Sequence, residues 1–299
     1  MVRLRTRSER GFPTAAEACD WVAAELPNLV ATVVHCAGTG PGEVAWTLSD
    51  SMRGYFALGR DMAQWNRVAT AGLAAAVAAG DPRAEAALAL NVGQSLTYRH
   101  HGERALPHLE RALHLCEEAD WAEGQSACLN ALAHLNCIIG RPRQASVHLR
   151  RGMAVNRQLN RRPAEAKQLS NLGIVYTELG RPAAARECFL RALEIHRDGG
   201  HPTDEVGPLN GLIDVSSRLG LLSDAIAYAT QSISICREYG RSEACSTART
   251  VAQALVELAT LDLRYGAVDR AHERYAEAVA LLQPGGSAGR TRSRRPTRP

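Results

Sequence analysis

The sequence predicts an all-α protein, an α-solenoid of about five helix pairs at a period of about 40 residues behind an N-terminal helical cap. Three observations carry this. Sliding the chain by 40 residues aligns GERALPHLERAL (102–113), GRPRQASVHLRRGM (140–153), GRPAAARECFLRAL (180–193) and GLLSDAIAYATQSI (220–233), and GAVDRAHERYAEAV (266–279) follows after a longer interval. Within these copies Ala105, Ala145, Ala185, Ala225 and Ala271 recur. Leu109, Leu149, Phe189, Ala229 and Tyr275 come four residues later, and Ala112, Gly152, Ala192, Ser232 and Ala278 three further on. That i, i+4, i+7 spacing is one face of a helix, small where a neighbour must approach closely. Strand signals are lacking, since aromatic residues make up only 5% and no alternating β-branched run is bounded by hairpin turns.

Each element has its own justification. Residues 15–37, AAEACDWVAAELPNLVATVVHCA, read as two helices broken at Pro27, and 43–80 as a helical pair with an Ala-rich stretch of high helix propensity. Apolar-periodic stretches at 85–99, 123–139, 164–179, 204–219 and 243–265 precede the aligned copies, so the repeating unit is a helix–turn–helix. Gly140, Gly180, Gly220 and Gly266 fall between the helices of a pair, where a left-handed C-terminal cap favours glycine. Pro82, Pro142, Pro163, Pro182 and Pro202 fall in first turns, where a missing N–H costs little. Pro107 falls in a second turn and is expected to bend its helix. The expected division is a disordered basic N-terminus (1–13), the helical cap (14–80) that a solenoid end requires, the solenoid (81–282) and a disordered Arg-rich tail (283–299).

One copy carries a recognisable motif. Leu172, Gly173, Tyr176, Gly180, Ala185, Phe189 and Ala192 follow L-G-x2-Y-x3-G-x4-A-x3-F-x2-A, which resembles the tetratricopeptide (TPR) consensus with longer helices. The resemblance implies a right-handed solenoid. Other copies depart from it: the Tyr176 site holds Asn136, Ser216 and Asp262, and the Gly173 site Ala133, Ile213 and Ala259. Upstream, Trp21-x3-Glu25-x-Pro27-Asn28-Leu29, followed by Trp46, Tyr55 and Trp65, resembles the segment opening the C-terminal TPR region of actinobacterial NB-ARC, antibiotic-regulator-type transcriptional regulators. The sequence has no GxxxxGK[ST] phosphate loop and no room for a winged-helix reader, so the resemblance does not extend to ATPase or DNA-binding activity.

The net charge of +4 belongs to the ends. Arg3, Arg5, Arg7, Arg10, Arg290, Arg292, Arg294, Arg295 and Arg298 account for nine of 35 basic residues, and Glu9 for one of 31 acids. The remaining 26 against 30 leave residues 11–282 at −4. No folded surface for specific nucleic-acid binding is therefore expected. Eight cysteines without a CxxC pair, no secretory leader pattern and no apolar run long enough for a bilayer lead us to expect a cytoplasmic protein with free thiols.

The TPR resemblance implies that the first helix of each pair lines a concave groove. Lys167, Asn171, Ile174 and Glu178 flank the buried stripe of the clean copy, and the corresponding stretches offer Asn91, Gln94 and Tyr98, then Asn130, His134 and Cys137, then Asn210, Asp214 and Arg218, then Glu257 and Arg264. A column of Asn amides at 91, 130, 171 and 210, each both donor and acceptor, could pair with the backbone of an extended peptide. The candidate ligand groove is Asn91, Gln94, Tyr98, Asn130, His134, Lys167, Asn171, Asn210, Asp214, Arg218 and Glu257. Its mixed charge does not resemble the basic carboxylate clamp of chaperone-tail receptors. His100, His101, His108, His114, Cys116, Cys128, His134, Cys137 and His148 cluster in sequence without a CxxC, HExxH or ExxH arrangement, so neither a metal site nor a cofactor is expected. No G-x-S-x-G elbow or S-x-x-K motif supplies a nucleophile, and no catalytic residue is assigned.

The expected function is a regulatory protein- or peptide-binding module that captures an extended segment. A small-molecule-binding or catalytic helical-repeat protein of a biosynthetic pathway is the alternative. Expected partners are a protein or peptide and, for a split regulator, the subunit with the missing module. No membrane partner is expected, and degenerate repeats can dimerise through an uncapped end.

Overall fold

The computed structural model describes residue 12 and residues 15–58, 61–200, 202–238, 255–256, 259–260, 263 and 266–282. Among them lie twelve helices and no strand. Two compact units divide the chain, at 1–179 and 180–299.

The first unit holds α1 (Ala15–Thr39), α2 (Gly42–Ala57), α3 (Met62–Ala79), α4 (Pro82–Tyr98), α5 (Gly102–Glu118), α6 (Ala122–Ile138), α7 (Pro142–Gln158) and α8 (Arg162–Glu178). Each helix packs on the next, and α1 also packs on α3. The second unit holds α9 (Pro182–Asp198), α10 (Pro202–Arg218), α11 (Leu222–Glu238) and α12 (Val268–Leu282), with α10 packed between α9 and α11.

The expected break at Pro27 does not occur, and α1 runs through it. A hydrogen bond spanning the proline and burial beyond it accompany the lost backbone bond. Asn28 Nδ2 donates to Glu25 Oε2 at 2.9 Å, and Val30 and Val33 are buried in the core that α1 shares with α2 and α3. Pro107 lies inside α5 as anticipated, and Pro208 likewise lies inside α10.

From α4 to α11 every helix has 17 residues, and their first residues are 82, 102, 122, 142, 162, 182, 202 and 222. The chain therefore turns every 20 residues, twice per 40-residue pair. A left-handed residue marks each turn: Gly80, His100, Asp120, Gly140, Asn160, Gly180, Gly200 and Gly220, with φ from +45° to +74°. The amide one residue beyond reaches back five positions, as in His101 N–H to Leu96 O at 2.9 Å, Trp121 to Cys116 at 2.9 Å and Leu221 to Ser216 at 2.8 Å. These are Schellman closures, which satisfy carbonyls that a helix end leaves open. Asp120 and Asn160 tolerate the left-handed state through short polar side chains, and His100 completes the set without glycine.

The small-residue register predicted for the second helices holds. Ala105, Ala145, Ala185 and Ala271 have no exposed surface, and Leu109, Leu149 and Phe189 fill the adjoining layer. Gly93 of α4 shows how close the approach is, for a Cβ there would intrude on the side chain of the fully buried Leu109 of α5.

Candidate functional site

In the first unit the pair-opening helices α4, α6 and α8 line a cleft of about 670 Å³. Gln94 and Tyr98 come from α4, Asn130 and His134 from α6, and Lys167 and Asn171 from α8. Six of the eleven residues singled out in the sequence thus meet at one place. They face the cleft because other faces of the same helices carry the core stripes, such as Leu129, Leu132 and Leu135 on α6 and Leu169 and Leu172 on α8.

One wall is aromatic. Phe56 stacks on Trp65 with centroids 6.1 Å apart, Trp65 meets Tyr98 at 5.4 Å, and Tyr98 meets His134 at 5.4 Å. The series starts at fully buried rings and runs out to Tyr98, which is 43% exposed, and the exposed His134. Offset aromatic contacts of this kind prefer centroid separations of roughly 4.5–7 Å, so Trp65 and His134 hold the Tyr98 ring in place. Desolvation holds the His134 pKa below the ordinary histidine value, so the ring is neutral at neutral pH.

The floor holds an amide pair. Asn171 Nδ2 donates to Asn130 Oδ1 at 2.7 Å, which leaves the Asn130 amide donors and the Asn171 carbonyl acceptor for a ligand. Lys167 and Glu178 are exposed on the cleft and give it both charge signs, and Ile174 adds an apolar surface that is 50% exposed. Burial and the charge of Glu178 push the Cys137 thiol up to about 11, so it is protonated and a poor nucleophile at neutral pH.

A second cavity of about 350 Å³ adjoins the first and shares Gln94, Asn130 and Lys167 with it. Arg53 and Arg161 line it, Arg53 being paired with Asp50 at 3.4 Å. Beneath it runs a buried relay in which Asn156 Nδ2 donates to Gln168 Oε1 at 3.0 Å and Gln168 Nε2 donates to the Ser126 carbonyl at 3.2 Å.

The remaining candidates lie elsewhere. Asn91 has no exposed surface: its Oδ1 accepts from Trp65 Nε1 at 2.5 Å, and its Nδ2 donates to the Ser49 carbonyl at 3.1 Å. It is therefore a structural amide and not a groove residue. Asn210 belongs to the second unit, where its Oδ1 accepts from Ser232 Oγ at 3.0 Å, and Asp214 and Arg218 pair with each other at 3.0 Å on its exposed surface. Glu257 and Arg264 lie outside the described residues. The four amides also do not share one helix register. Asn91 and Asn171 are the tenth residues of α4 and α8, whereas Asn130 and Asn210 are the ninth of α6 and α10. One residue turns the side chain by roughly 100° about the helix axis. Trp65, Arg53 and Arg161 were not anticipated at the site, because they come from the cap and from a turn rather than from the aligned registers.

Among the described residues no three His, Cys, Asp or Glu side chains converge as metal ligands, and no helix is long and apolar enough to cross a membrane.

The tetratricopeptide repeat family matches residues 166–198. No curated protein matches the sequence. Among solved structures, the chain resembles a Rap protein complexed with competence and sporulation factor at 12% identity and a TM-score of 0.63, over 91% of this chain and 87% of that one. A Rap conjugation gene regulator of a plasmid, in complex with the Phr peptide, aligns at 13% identity and a TM-score of 0.58, over 82% and 75%. A signal-transduction ATPase with numerous domains and a tetratricopeptide repeat sensor, from Pyrococcus horikoshii, aligns at 13% identity and a TM-score of 0.54 over 89% of this chain and 48% of that protein. The chain carries a tetratricopeptide repeat within an all-helical fold of the TPR type.

Proposed function

We propose that the chain is a peptide- or protein-binding module that takes an extended segment into the cleft of α4, α6 and α8. The observation that carries this reading is the Asn130–Asn171 pair on the cleft floor. Between them the two amides offer a donor and an acceptor, the complement of one peptide group, so they can engage a main chain whatever its side chains. Tyr98, His134 and Ile174 then supply contact area, and Lys167 and Glu178 select charge. The bound peptide or factor in two structurally similar Rap proteins supports the same use of this fold.

The wider role we assign is regulatory. The likeness to an ATPase with a TPR sensor supports it, as does the upstream resemblance to actinobacterial regulators. On this reading the module works in the cytoplasm, beside a subunit that carries the ATPase or DNA-binding part.

The test is selection of binders from a displayed library of random dodecapeptides. Peptides that bind the chain are expected to lose binding at least tenfold to Asn130→Ala/Asn171→Ala, with helicity unchanged by circular dichroism. Undiminished binding by the double variant would remove the cleft assignment. A cleft of this volume also suits a small ligand, within the usual range of about 300–1,000 Å³, and failure of every peptide would favour that alternative.

A further inference from the structure

Two cysteines that the cleft does not use stand in contact. Cys116 on α5 and Cys128 on α6 are buried free thiols with their sulfurs 3.9 Å apart. Their positions have a counterpart. Cys116 is the fifteenth residue of α5 and Cys128 the seventh of α6, while Asn156 and Gln168 are the fifteenth of α7 and the seventh of α8. One repeat further along, the same two positions are therefore joined by the 3.0 Å amide hydrogen bond of the buried relay. Both couples line the 350 Å³ cavity beside the cleft. The junction between successive pairs thus carries a direct side-chain link in both cases, of amide type in one and of dithiol type in the other.

We propose that Cys116 and Cys128 are a reversible oxidative modification site, at which hydrogen peroxide, small enough to enter the cavity, converts the dithiol into a disulfide tying α5 to α6. Attack starts from Cys116. The Cys128 S–H held against its sulfur stabilises the thiolate and lowers its pKa, while the same contact and burial raise that of Cys128. The Cys116 thiolate attacks one peroxide oxygen, the O–O bond breaks, and the departing hydroxide takes up the proton that the Cys116 thiol released and leaves as water. The sulfenic acid so formed is attacked by the Cys128 sulfur. The S–S bond forms, the S–O bond breaks, and the hydroxyl leaves with the Cys128 proton as a second water. Two thiols supply two electrons, and one peroxide is consumed. The sulfurs must close from 3.9 Å to about 2.05 Å, a movement within reach of side-chain rotation at two touching helices.

The experiment uses the full chain bearing Cys137→Ser, so that the tryptic fragment 112–143 contains only these two cysteines. After hydrogen peroxide the chain is denatured, alkylated with iodoacetamide, digested and weighed. The expected fragment is unalkylated and two hydrogens lighter, and dithiothreitol before alkylation restores the doubly alkylated form. In Cys116→Ala/Cys137→Ser, Cys128 is expected to become fully alkylated under the same treatment. A doubly alkylated fragment after peroxide, overoxidised cysteines, or a Cys128 still protected without Cys116 would each overturn the proposal. No ligand enters the measurement, so its outcome is separate from that of the peptide selection.

Discussion

Asn91 and Asn171 occupy the same place on α4 and α8, two repeats apart, and serve opposite ends. Around Asn91 the cap helices close over the amide. Trp65 of α3 donates to it, Ser49 of α2 accepts from it, and nine of ten consecutive α4 residues around it, from Ala84 to Gly93, are buried. Around Asn171, among the described residues, the amide meets the neighbouring Asn130 at the floor of an open cleft. What lies across a helix, rather than the residue at a register, decides whether an amide holds the fold or waits for a ligand. The helices α2 and α3 are thus the wall that makes the first groove position structural.

The comparison can be broken most directly at Asn91. Asn91→Ala strands the Trp65 N–H and the Ser49 carbonyl in the core, and the expected cost is about 2–4 kcal/mol in urea unfolding. A cost below about 1 kcal/mol would erase the distinction. Gly93→Ala drives a methyl group into the fully buried Leu109 side chain, for an expected loss of about 1–3 kcal/mol by the same measurement. Asn130→Ala/Asn171→Ala should change stability by less than about 1 kcal/mol, because a half-exposed hydrogen bond contributes little net, while ligand capture is lost.

The smallest effect is one of pH. Burial holds His134 below the ordinary value of 6.5, and burial aided by Arg104 and by Arg151 does the same for His108 and His148. The unfolded chain therefore binds protons first on acidification. The contribution of the neutral rings is fully present above about pH 6.5 and is lost as pH falls through the folded-state values. Thermal melts from pH 7.5 to 5 should show a falling midpoint, with a shallower fall for His134→Gln.

The repeats were readable because they obey a period. Ala105, Ala145 and Ala185 must be small wherever a second helix approaches its partner, and such constraints recur at fixed intervals. The halving of that period was harder to see. Glycine marks the turns at 140, 180 and 220, but His100, Asp120 and Asn160 adopt the same backbone without announcing it. Pro27 misled for the opposite reason, since a local breaking signal yielded to burial of Val30 and Val33. Of the candidate site, Gln94 and Tyr98 of α4 and the residues contributed by α6 and α8 were legible from register. The fate of Asn91 was not, because Trp65 and Ser49 come from helices outside the repeat and no spacing connects them to it.

The even spacing of the turns has an engineering consequence. Since each helix from α4 to α11 has 17 residues and each connection among them three, residues 122–161 form a cassette whose removal would rejoin α5 to α8 through a connection of unchanged length. Such an excision takes one wall helix out of the cleft, a step of roughly 8–10 Å at ordinary helix spacing, and duplication adds one. The reach of the groove is in this sense a countable quantity, adjustable in whole helices without redesigning a single turn.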